Sequence, residues 1–133
     1  MAGKIVADTL EHSTAGSVDT QYVVNGSAKA WVNFNGTGTI AARDSFNHSG
    51  LTDNGTGDYT ASYTNSMGNA NYVSLHIATY DSSNLGPSGE TQSRVTGSVE
   101  FECRYQGNNT AYDHLDCYVT IFGDLAHSSM LSS

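Results

Sequence analysis

Val99-Glu100-Phe101-Glu102-Cys103-Arg104-Tyr105 and Leu115-Asp116-Cys117-Tyr118-Val119-Thr120-Ile121 are the two stretches whose reading decides the fold. In each, apolar residues recur at every second position, the period at which side chains share one face of a β-strand. Paired antiparallel with Cys103 opposite Cys117, they bring Val99 to Ile121, Phe101 to Val119 and Tyr105 to Leu115. The other face then collects Glu100, Glu102 and Arg104 against Thr120, Tyr118 and Asp116, with one Arg104–Asp116 opposition. A slip of one residue would turn every apolar side chain toward water.

The same period runs outward from this pair. Tyr59, Ala61 and Tyr63 fall on one side of a pleat, and Val73, Leu75, Ile77 and Thr79 alternate with Tyr72, Ser74, His76, Ala78 and Tyr80 in what reads as a central strand. Gln21-Tyr22-Val23-Val24 and Ala28 to Phe34 read as a hairpin about Asn25-Gly26, because both turn residues accept positive φ. Asn35-Gly36-Thr37-Gly38 and Leu51 to Asp58 read as turns, and residues 81 to 90, with Pro87, as a loop. Residues 1–20 are polar apart from Ile5, Val6, Leu10 and Val18, and read as an extended docking arm. The expectation is an all-β chain: an antiparallel β-sandwich or jelly-roll-like domain of about eight short strands over 21–133, preceded by the arm.

Composition limits the core and the partners. Ser, Thr, Asn and Gly make up 56 of 133 residues, which argues against a helical bundle. Leu, Ile, Val and Phe number 24, about 18 %, below the roughly 20 % at which a charged chain falls under suspicion of disorder. Such a chain folds most readily if copies share burial, with Trp31, Phe34, Val73, Leu75 and Ile77 as the candidate interface. A net charge of -8 repels nucleic acid. No run approaches the ~18 apolar residues of a membrane span, and the first residues turn polar too early for a cleaved export signal, so a soluble protein is expected.

Catalytic and metal signals are weak. His12, His48, His76, His114 and His127 stand apart without ligand spacing; His48 or His76 would be the candidates if a threefold axis gathered three copies. Asp53 to Asp58 resembles half of a calcium loop but lacks the Glu that would complete it, and reads as a glycine-rich turn. Glu100 and Glu102 share a strand face, as a glycosidase pair would, with nothing to raise either pKa. No cofactor and no enzymatic activity are expected. Cys103 and Cys117 are expected to be buried free thiols, a cross-strand disulfide between them being the other reading. Of the eight tyrosines, Tyr80, Tyr105 and Tyr112 border predicted loops and are the candidates for receptor contact, the alternative being that Tyr fills in for missing aliphatics.

Three runs are more specific than any of these signals: Ala28 to Ile40 (AKAWVNFNGTGTI), Asp44-Ser45-Phe46-Asn47, and Thr52 to Thr60 (TDNGTGDYT), followed by Ala70-Asn71-Tyr72. Over roughly residues 20 to 80 the chain resembles a module of tail-fibre and related virion proteins of tailed bacteriophages, particularly marine ones. The resemblance implies a virion structural protein made in the host cytoplasm. It would be a homotrimeric β-rich fibre, spike or tip, joined to other virion proteins through its arm (Ile5, Val6, Leu10) and presenting loops to a host surface glycan or protein. A capsid decoration or head fibre without a receptor role is the other location it allows.

Overall fold

The computed structural model describes residues 3–79 and 87–126. Eleven strands and one short helix are formed among them: β1 (Thr9–His12), β2 (Gly16–Asp19), α1 (Thr20–Gly26), β3 (Ala30–Asn35), β4 (Ala41–Phe46), β5 (His48–Gly55), β6 (Asp58–Tyr63), β7 (Val73–Ala78), β8 (Pro87–Val95), β9 (Ser98–Tyr105), β10 (Thr110–Ala111) and β11 (Cys117–Phe122). Nine of the strands form two antiparallel sheets. The first has β9 at its centre, with β8 on one side and β6 then β5 on the other, β10 pairing with the end of β9. The second runs β4-β3-β11-β7. The all-β sandwich expected from the alternation is the fold observed.

The deciding pair of strands packs differently from the expectation. β9 and β11 do not hydrogen-bond to each other; they belong to opposite sheets, and their apolar sides meet across the core. Val99, Phe101, Cys103, Cys117, Val119 and Ile121 are all buried, as the alternation requires. Period two specifies which side chains share a face but not whether that face meets a neighbour beside it or above it. The opposition of Arg104 and Asp116 falls away with the pairing. Arg104 bonds Glu90 and Glu102 within its own sheet, and Asp116 bonds Arg43 at 2.7 Å. Leu115, placed on the inner face by the assumed register, precedes β11 and is exposed.

Aromatic rings supply the burial that aliphatics do not. Phe34 meets Tyr59 edge-on with centroids 5.0 Å apart and Phe101 at 6.0 Å, and Tyr63 meets Tyr72 at 5.9 Å. Tyr59, Ala61 and Tyr63 point inward together, as read from the pleat. Two of the buried phenols find acceptors: Tyr59 donates to the Gly36 carbonyl at 2.7 Å and approaches Asp113 Oδ1 at 2.9 Å, while Tyr72 Oη lies 3.0 and 2.7 Å from the Val95 and Ser98 carbonyls. Phe34 lies wholly within this cluster, so it is a core residue and not an interface residue.

The chain before β3 departs most from the expectation. Residues 9–19 form a two-stranded hairpin instead of an extended arm, and Gln21 to Val24 lie in α1 instead of a strand. Thr20 sets the helix start: its amide donates to the Asp8 carbonyl at 2.8 Å and its hydroxyl to the Ala7 carbonyl at 2.7 Å. Lys29 Nζ donates to the carbonyls of Val24 and Ser27, occupying acceptors that a helix end leaves free. Asn25-Gly26 therefore marks a helix stop, a role these residue types serve as readily as a hairpin turn. The boundary with the sandwich falls after Gly26, not at residue 20. Two predicted turns also shrink: residues 51–54 continue β5, and 87–90 open β8.

Candidate interaction face

β7 is an edge strand, not a central one, and its faces are reversed relative to hydropathy. Ala78 is buried and Ser74 and His76 are partly buried on the inner side, while Val73, Leu75 and Ile77 are 54 %, 59 % and 56 % exposed. Inner neighbours explain the reversal. The His76 ring lies 5.3 Å from that of Phe101 and covers Gly89 of β8, where a Cβ would fall 2.5 Å from the imidazole. Ser74 Oγ lies 2.9 Å from Thr91 Oγ1 of β8. These contacts close one side of the sandwich where the two sheet edges meet. They also turn the aliphatic residues of β7 outward.

Register places those aliphatics in a continuous surface. Phe46, Trp31, Thr120 and Leu75 form one row across the outer face of the second sheet, and Asp44, Asn33, Tyr118 and Ile77 form the next. Phe122 and Val73 extend it at one end. Phe46 is 54 % exposed; Trp31, Tyr118 and Phe122 are partly so. Asp44, at the β4 edge, is the one charged residue in these rows. Four strands about 4.8 Å apart and six residues at about 3.3 Å each outline on the order of 400 Å². That is the size of the largest apolar patch on a typical monomer, which is often functional.

A polar clasp bounds the opposite end. The irregularity between Asn33 and Phe34 leaves Arg43 as an extra residue in β4, and a bulge of this kind re-aims its side chain. Its guanidinium reaches Asp116 Oδ1 at 2.7 Å and the Leu115 carbonyl at 2.9 Å, and Thr79 donates to Asp116 at 3.2 Å. Both edge strands of the sheet are thereby tied to the residue preceding β11.

The outer face of the first sheet has the opposite character. Glu90, Glu102, Arg104 and Gln92 form one network, with Gln92 Nε2 donating to Glu90 at 2.9 Å and to Glu102 at 2.6 Å. Arg104 also donates to the Asn109 carbonyl at 2.8 Å. The Glu102 carboxylate, half of the pair weighed as a glycosidase dyad, is thus engaged by Arg104 and Gln92. Asp53 is used locally as well, accepting from the Gly55 amide at 3.1 Å. Among the described residues no group of three or more His, Cys, Asp or Glu is placed to hold a metal ion. His48 and His76 face inward, where a symmetry axis outside the sandwich cannot gather them, and burial lowers the pKa of each.

Of the predicted site residues, Trp31, Val73, Leu75 and Ile77 are brought together on one face and Phe34 is not. Tyr105 and Tyr112 sit together at one end of the sandwich, both partly buried, Tyr112 against the His114 ring at 5.0 Å. Tyr80 lies outside the described residues. Ile5, Val6 and Leu10 are exposed and line a groove of about 460 Å³ with Val23 and Val24. Phe46, Tyr118 and Tyr22 were not anticipated; Tyr22, on α1, is 65 % exposed. Asn47 was also missed. At φ 51° it turns the chain between β4 and β5, its side chain donating to the Lys29 and Asn65 carbonyls and accepting from the Asn65 amide.

What fold and face define is a β-sandwich with one apolar and one charged outer surface. No protein-family model, no curated protein and no solved structure matches the chain.

Proposed function

We propose that the chain is a structural protein of a bacteriophage virion, a tail-fibre or tail-tip-like component that assembles as a homotrimer. The observation that carries this reading is the apolar outer face of β4-β3-β11-β7. The occupant it fits is a second copy. Copies carrying -8 charges repel one another wherever charged surfaces meet, and this face brings almost no charge to a contact. The charged sheet, with the tyrosine-bearing end at Tyr105 and Tyr112, then faces outward to solvent and to the host surface glycan or protein. The role is one of assembly and attachment, without a catalytic step.

Sedimentation of the purified protein at micromolar concentration tests the assembly, with a trimer expected; a stable folded monomer would sink it. Imaging of intact particles tests the location. A few tens of copies or fewer at the tail are expected, whereas hundreds over the shell would make the protein a capsid decoration.

A further inference from the structure

Two apolar surfaces of this chain are uncovered, and they lie on different elements. One is the outer sheet face. The other is the hairpin and helix before β3, where Ile5, Val6 and Val24 are 91 %, 82 % and 56 % exposed. This N-terminal unit cannot sustain itself. An isolated two-stranded hairpin is marginal in water, and a helix of seven residues is far below the ~12–15 at which isolated helices become stable. No residue of β1, β2 or α1 is buried. Nor does the unit cover its own sandwich. α1 packs on β2, and Lys29 ties its last turn beside the start of β3.

We propose that the N-terminal unit of one copy lies on the outer sheet face of the next, its groove receiving the β7 side chains Leu75 and Ile77. The inference rests on the reading that copies associate through this sheet, and it names what covers the face. Charge selects the surface. α1 bears no charged residue, and Lys4 is the one charge lining the groove. The other outer face carries the Glu90–Arg104–Glu102 network, a charged surface that the apolar groove would have to desolvate. Symmetry supports the arrangement. A flat face pairing with itself makes a twofold dimer, whereas a face that receives a different surface makes a head-to-tail contact, which yields a ring when the rotation between copies closes and a filament when it does not. A face on the order of 400 Å² buries about 800 Å² with its partner surface, less than a single stable contact needs. A closed ring holds each copy by two such contacts at once.

Cross-linking decides it, because the native thiols are sealed in the core and do not interfere. The full chain carrying both Val6→Cys and Leu75→Cys should, on mild oxidation, give a covalent trimer on a non-reducing gel, while each single variant stays monomeric on the gel. Dimers from Leu75→Cys alone would show the faces pairing with each other, and dimers from Val6→Cys alone would show the N-terminal units meeting; either overturns the proposal. So does the absence of cross-links in a double variant that still sediments as an oligomer. A wild-type chain that sediments as a monomer would instead remove the assembly reading beneath it.

Discussion

Gly36 shows how much a single residue holds. A Cβ there would stand 2.6 Å from the His114 carbonyl, 2.7 Å from the Tyr59 hydroxyl and 2.8 Å from Cys117 Sγ. Two of the three are core groups with no room to retreat, so Gly36→Ala should cost about 1–3 kcal/mol in denaturant unfolding. Gly57 is under the same constraint from the backbone of Tyr112 and Cys103, with φ at 70° besides. The inner histidines make a pH prediction. Burial lowers the folded-state pKa of His76, only partly offset by the Gly89 backbone and the Glu90 charge, and it lowers that of His48 likewise. The unfolded chain then takes up protons near pH 6.5 while the folded one does not. Stability is fully present above about pH 6.5 and should fall as the pH drops below it. His76→Phe should flatten that fall in unfolding curves at pH 7.5 and 5; an equal slope in the variant would remove His76 from the account. None of these roles was legible beforehand. A glycine in an Asn-Gly-Thr-Gly run reads as turn chemistry, and only the packed sheet reveals what stands above it.

At the scale of elements, the inward positions of β6, β9 and β11 were legible, because a two-residue period identifies a shared face wherever polar residues separate the apolar ones. Three things were not. Pairing of β9 with β11 and packing of β9 over β11 place the same residues inside, so alternation alone could not separate them. Hydropathy offered Val73, Leu75 and Ile77 as an interface but read their strand as central; β7 is an edge, and the small and polar residues between them fit against Phe101 and Gly89. Thr20–Gly26 contains the β-favouring Val23-Val24, overridden by the bonds of Thr20 and Lys29 at its ends. The outward orientation of β7 separates assembly from folding. Leu75→Asp should change monomer stability by no more than about 0.5 kcal/mol, as surface substitutions do, while abolishing the oligomer in sedimentation. A loss of several kcal/mol would mean that Leu75 supports the fold itself. Amide exchange of β1, β2 and α1 should be fast in that variant and slowed in the assembled wild type; equal rates would show that the unit draws no support from neighbours.

For the molecule as a whole, the low aliphatic content has two answers instead of one. Tyr59, Tyr63, Tyr72, Phe34 and Phe101 close a core within the single chain, so the sandwich is less dependent on shared burial than composition alone implied. The unsatisfied apolar area lies outside the core, on the outer face of one sheet and on the N-terminal unit. Because copies of like charge must approach to cover it, association should tighten as salt rises from about 50 to 500 mM, where screening shortens from more than 10 Å to under 5 Å. Weakening with salt would point to an interface built on ion pairs. The sealed sulfurs give the sandwich an internal clock. Cys103 and Cys117 reach across the core from opposite sheets to 3.9 Å, both fully buried, and their contact together with burial raises the Cys103 pKa. A thiol reagent can touch either one only while the sheets stand apart, so the labelling rate counts the moments at which the sandwich opens. If that rate falls as protein concentration rises, neighbouring copies are what hold it shut.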